Sequence, residues 1–177
     1  MEKTRGPDTM RRLVLSFTLA AVTGLSFTSL AADLDRQGQV ARRGADVMPF
    51  SLKATTHVFT KTAEGGTQRV VAKSADSRQV KLVRSHLHDI RTEFLDGDFS
   101  GPSHVHGNQM AGLSELKGAK PGQISIDYRD VKGGAELTYR TSDATLVAAL
   151  HHWFDAQLSD HGTDAMAGHQ HHGMGKP

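Results

Sequence analysis

The sequence predicts an α+β domain in which a four-stranded antiparallel sheet carries two helices on one face, in the order ββαββα. Three observations predict it. Two stretches of strand-like composition are each divided by a glycine pair, Gly65-Gly66 and Gly133-Gly134. Each is followed by a segment whose apolar residues recur at spacings of three and four, the period of one helical face. The two halves also align, the glycine pairs at an offset of 68 residues and Leu82-Val83 with Leu146-Val147 at 64. That match raises the expectation of an internal duplication. Neither hairpin could bury its apolar face alone, and side by side they form one layer for both helices to cover.

The first 31 residues read as a secretory leader. Arg5, Arg11 and Arg12 precede an uncharged apolar run from Leu13 to Phe27, and Ser29-Leu30-Ala31 offers small residues for cleavage after Ala31. This is the order of a signal peptide, and the apolar run is short for a membrane span. Residues 32–50 form a polar N-terminal arm, in which Asp33 to Val47 reads as either a loose helix or an arm, broken by Met48-Pro49-Phe50. Residues 51–162 are the single α+β domain, and 163–177 read as a disordered His/Met tail, being polar and rich in glycine.

Within the domain, Ser51 to Thr62 is rich in Thr, Val and Phe, which suits a strand. Ala63-Glu64-Gly65-Gly66 is the hairpin turn and Thr67 to Lys73 the returning strand. Ala75 to Leu95 is a helix whose inner face is Val80, Val83, Leu87, Ile90 and Phe94, and Gly97 ends it. Phe99 to Gly122 is a long connection rich in Gly and Pro, with a short helix around Leu113 to Leu116. A loop of this length in a compact domain usually serves a function. Gln123 to Arg129 alternates as a half-buried strand, Lys132-Gly133-Gly134 turns the chain, and Ala135 to Thr141 returns. Asp143 is an N-cap for a helix to about Asp160. Its inner face is read as Val147, Leu150, Phe154 and Leu158, with His151 at the centre and Trp153 to one side.

Charge and composition exclude several functions. Removing the leader's four basic and two acidic residues from totals of 21 and 19 leaves 17 of each. A neutral chain without a basic cluster gives no footprint for nucleic acid. After leader cleavage no apolar stretch remains to hold the chain in a membrane. There is no cysteine, so neither a disulfide framework nor a thiolate metal site can form. Phosphate-loop, Gly-x-Ser-x-Gly and His-Glu-x-x-His signatures are absent, so a binding protein is expected rather than an enzyme.

The outstanding feature is 11 histidines, all beyond the leader. His104-Val105-His106 lies in the long connection, and in an extended backbone residues two apart point the same way. Two imidazoles then approach one cation, with Met110 adding a thioether and His57 or His151 completing the site. Imidazole with thioether suits copper, and imidazole alone also suits zinc. His169, His171, His172 and Met174, with His161 and Met166 upstream, form a tail able to capture metal. His88 falls well away from its helix's apolar face and His86 at its edge. The alternative reading is a binding module for haem or a small ligand, with a groove at His151 and Trp153 and His151 as axial ligand. A third is a protein-interaction domain whose tail is incidental.

Met48-Pro49-Phe50, Thr55-Thr56-His57, Gly65-Gly66, His104-Val105-His106-Gly107, and Trp153-Phe154-Asp155-Ala156-Gln157-Leu158 through Asp160-His161-Gly162 resemble a family of uncharacterised small exported bacterial proteins. The resemblance covers about Gly44 to Gly162 and implies export and a single domain. Some relatives carry an aspartate carbamoyltransferase label. It is not applicable here: that enzyme is a larger two-domain cytoplasmic protein, and its Ser-Thr-Arg-Thr-Arg phosphate-binding signature is missing from this chain. The expectation is a periplasmic or secreted protein that handles copper or zinc. Its partners are a metal ion and another periplasmic protein.

Overall fold

The computed structural model describes residues 24–169, with side chains from residue 31 onward. It is α+β. Helix α1 (Gly24–Val47) leads into a 3-10 turn at Leu52–Ala54, strands β1 (Thr55–Thr62) and β2 (Gly65–Ala72), and helix α2 (Ser77–Leu95). Two short helices follow, α3 (Ser100–His106) and α4 (Leu113–Lys117). Strands β3 (Ser125–Val131) and β4 (Gly134–Arg140), helix α5 (Ala144–His161), a 3-10 turn at Gly162–Asp164 and strand β5 (Ala165–Ala167) complete the order.

The sheet has five strands in the order β3-β4-β2-β1-β5. Four of them are antiparallel neighbours, as the two expected hairpins require. The fifth is a correction: β5 pairs parallel to β1, His57 opposite Ala165, so the sheet is mixed. Alanines and a methionine between Asp164 and Gly168 carry too little pattern to announce a strand, and the ready-made edge of β1 supplies the pairing groups instead. The segment read as disordered from Thr163 is therefore partly built into the sheet.

One face of the sheet presents Phe59, Val70, Ile126, Ala135, Leu137 and Tyr139, and α2 and α5 bury into that single core. Asp76 caps α2 by accepting from the amides of Arg78 and Gln79, and Asp143 caps α5 by accepting from those of Thr145 and Leu146. On the other face, Glu136 on interior strand β4 accepts from Arg69 of β2 at 2.6 Å and Arg129 of β3 at 2.5 Å. This cross-strand triad covers a carboxylate that is only 2% exposed.

Three further expectations change. The polar arm is an integral helix. α1 runs unbroken from within the segment read as a leader, and its Val40 is 2% exposed. The glycine pairs are not equivalent: the β1–β2 turn is Ala63-Glu64, with Gly65 already paired to Thr62, whereas Gly133 lies in the β3–β4 turn beside Lys132. The buried face of α5 is Leu146, Ala149, Leu150, Trp153, Phe154, Gln157 and Asp160, rotated from the expected stripe. That helix is apolar over much of its circumference, so spacing alone allows two stripes, and burial of the large Trp153 ring selects one.

Gly112 shows how closely the long connection packs on α5. Its φ is +77° and a Cβ there would sit 2.1 Å from the carbonyl oxygen of Ala149. Gly97 has a similar φ of +78° with open space around it. Gly97→Ala should cost only the left-handed backbone strain, about 1 kcal/mol. Gly112→Ala should cost distinctly more, because the helix backbone must also move. Urea unfolding midpoints of the two variants test this, and equal losses would refute the close approach.

Candidate functional site

A partly open cavity of about 60 Å³ lies between the end of α1, α2, α3, α5 and the β1–β2 hairpin. Four imidazoles line it, from four separate elements: His57 of β1, His86 of α2, His106 at the end of α3 and His161 at the end of α5. Phe50, Val70, Leu87, Phe94, Val105 and Trp153 form its apolar walls, with Gln68 and Gln157 as neutral polar groups.

Each element delivers its histidine for a local reason. Strand alternation puts His57 on the same face as Phe59, and His57 is 3% exposed. His86 sits beside the buried stripe of α2, its ring edge-on to Phe50 at 5.5 Å. His161 extends the buried face of α5 by one turn beyond Gln157. His106 depends on a helix where an extended loop was expected. Asp98 accepts from the amide of Ser100 at 2.8 Å, and Pro102 falls in the first turn, where a missing N–H costs nothing. Gly107, at φ +84°, ends the helix.

That helix separates the expected pair. Residues two apart on a helix diverge by about 200°. His104 is exposed and reaches Asp46 at 3.2 Å, while His106 turns inward. Met110 does not join them: it is 5% exposed within the apolar core. His151 does not line this cavity. Its Nε2 donates to the carbonyls of Thr62 at 3.0 Å and Gly65 at 2.9 Å, clamping the hairpin turn. Trp153 is fully in the core rather than beside it, and its Nε1 has no hydrogen-bond partner among the described residues. His169 is exposed, and His171, His172 and Met174 lie outside the described residues. Of the expected ligands, the fold thus brings together His57 and His106. It adds His161 and His86. His161 was legible as the residue one turn beyond Gln157 and two beyond Trp153, once the correct face of α5 is taken.

The geometry is fixed by a carboxylate. Asp160 Oδ2 accepts from His106 Nδ1 at 2.8 Å and from Arg36 Nη2 at 2.7 Å, and Oδ1 takes Arg36 Nε in a bidentate pair. An ionised carboxylate only accepts. His106 therefore carries its proton on Nδ1, and in the neutral ring Nε2 is left as a bare lone pair. The His106 ring meets His161 edge-on at 5.2 Å, and His161 stacks on His57 at 5.1 Å. His57 Nε2 is buried without a hydrogen-bond partner among the described residues.

Burial opposes ionisation of Asp160, but hydrogen bonds from His106 and Arg36 outweigh it and hold the carboxyl below its usual range. Desolvation pushes His57 well down, and neighbouring His161 adds to the effect. Desolvation also lowers His86 and takes His161 down to about 4, with His106 contributing. His57, His86 and His161 are therefore neutral at pH 7, each with one unprotonated nitrogen. Among the described residues no three His, Asp or Glu side chains are already arranged to hold a metal ion, and no helix is long and apolar enough to cross a membrane. No protein-family model, curated protein or solved structure matches the chain.

The depressed imidazoles make stability depend on pH. An unfolded histidine titrates near 6.5, whereas His161 does so at about 4 when folded. Between those values the unfolded chain holds the extra proton, so stability falls as the pH falls, by about 1.4 kcal/mol per unit for one such group. His57 acts in the same direction. The urea midpoint should drop from pH 7 to pH 5, and His161→Asn should flatten that slope. An unchanged slope in the variant would show that His161 is not held neutral by the fold.

Proposed function

We propose that this is an exported metal-binding protein that takes copper or zinc on His57, His106 and His161. The observation that supports it is His106, oriented by Asp160 and packed edge-on against His161, which in turn stacks on His57, whose Nε2 has no hydrogen-bond partner among the described residues. A carboxylate behind a histidine fixes its tautomer and raises its basicity, as around many metal ions. Three imidazole nitrogen donors suit zinc and copper alike. Without Met110 in the set, no thioether biases the choice toward copper. The rings must rotate to converge on one ion within a cavity of about 60 Å³. The same volume is far below that of small-molecule pockets, which favours a single ion over a larger ligand at this cluster.

The leader, the periplasmic or secreted location and the resemblance to exported bacterial proteins belong to this same proposal. The histidines of the tail act in it as a capture arm, loading metal toward the internal site.

Metal titration of the full chain tests the reading. With His169, His171 and His172 replaced by Asn, one zinc or copper ion per chain should still bind. His57→Gln, His106→Gln or His161→Gln in that background should abolish stoichiometric binding. Asp160→Asn should weaken it about 10- to 100-fold, with folding checked by circular dichroism. If the tail substitutions alone remove all binding, the internal site is refuted.

A further inference from the structure

A second cavity, of about 310 Å³, lies beyond Trp153 and Phe94, which line both spaces. It sits between the end of α2, the α4 helix with its following loop, the β3–β4 strands and α5. Its walls are strongly aromatic. Phe94 stacks on Phe99 at 4.3 Å, and Tyr139 meets Trp153 edge-on at 5.7 Å. Leu116 and Leu150 extend the apolar lining. None of the four clustered histidines borders this space.

Its charged groups are few. Lys117 and Lys120 line it from the α4 side and both are exposed, with Asp96 as the one acidic residue among those lining it. The amine of Lys117 rests 3.5 Å from Ser103 Oγ, a weak contact that a ligand can replace. A chamber with aromatic walls and a polar mouth, carrying two lysines against one lining carboxylate and with Asp98 within electrostatic reach of Lys117, complements a ligand with a greasy body and one negative end. The buried indole N–H of the shared wall is an additional unspent donor among the described residues. The volume lies at the lower end of small-molecule pockets, which suits a ligand of roughly ten heavy atoms.

The geometry points to a binding site for a medium-chain or aromatic monocarboxylate in this cavity, its carboxylate on Lys117 and Lys120 and its body against Phe94, Phe99 and Trp153. The site is separate from the histidine cluster and does not depend on metal binding there. Association needs no covalent step: the carboxylate exchanges water for two ammonium groups, and the apolar body leaves water for the aromatic wall.

Trp153 is the single tryptophan of the chain, so its emission reports this wall directly. Octanoate titrated into the full chain should give a saturable change in tryptophan fluorescence, and octylamine of the same length should bind at least tenfold more weakly. Lys117→Ala with Lys120→Ala, both on the surface, should weaken octanoate about tenfold or more. Ala119→Phe should fill the cavity and remove the signal, circular dichroism confirming that the variant is folded. His106→Gln should leave octanoate binding unchanged, which separates this outcome from that of the metal titration. A flat titration overturns the inference. So does binding that ignores the two lysines, or that accepts octylamine as well as octanoate.

Discussion

The structure turns on one buried carboxylate. Asp160, 3% exposed near the end of α5, is bound by Arg36 from α1 and His106 from α3. Burying an ionised carboxylate costs several kcal/mol unless its oxygens are fully engaged. Here a bidentate guanidinium and an imidazole N–H engage them, and the groups come from residues 124 and 54 positions away in the chain. Neither donor suffices alone, because loss of either leaves a charged acceptor short of partners in the interior. The same carboxylate therefore docks α1 on α5, seats the end of α3 and decides which nitrogen of His106 carries a proton. Fold and site are not separable at this point.

The histidine cluster follows from that anchor and from the apolar walls. Phe50, Val70, Leu87 and Trp153 desolvate the rings, and desolvation is the largest cause holding His57, His86 and His161 neutral. A buried nitrogen without a partner costs about 1–3 kcal/mol, so His57 Nε2 represents stability given up in the native state. Polar groups left in this way mark places where packing has been subordinated to another requirement. With no cysteine in the chain, neutral imidazoles are its strongest donors toward a borderline cation, and the fold has already met the cost of stripping water from them.

The regular elements were legible in the sequence because their signals are local. The cap Asp143, the 3,4 spacing of α2 and the alternation of β3 each act over a few residues, and each predicted its element. The four antiparallel strands followed for the same reason. What failed depends on contacts distant in sequence. β5 exists because β1 offers an open edge, and Ala165–Ala167 alone says nothing of it. The face of α5 was misread because Val147 and Leu158 fit the period as well as Ala149 and Gln157 do, and only the packing of Trp153 against Phe94 and Tyr139 decides between them. At the site, the fold brings His57 and His106 to one cavity, but His106 was paired with His104 on the premise of an extended backbone. Pro102 early in a turn and Gly107 after it were the available signs of α3. His161 was set aside with the tail, although it continues the stripe that Asp160 shares.

Arg36 also bears on the segment read as a leader. α1 starts at Gly24 and passes through Ala31 without a break. In the proposed mature chain, cut after Ala31, only four residues precede Arg36, which then lies near the start of the shortened helix. Amides in a first turn lack intrahelical partners, and a cation there opposes the helix dipole. Asp33 and Asp35 offset part of that cost by placing negative charge at the same end. The bidentate pair with Asp160 does more, since it ties the turn to α5 rather than leaving it to fray. Dependence then runs both ways: Arg36 needs Asp160 to keep the first turn in place, and Asp160 needs Arg36 to stay ionised beside His106. Removal of the leader would leave the orientation of the imidazole resting on the first ordered turn of the chain.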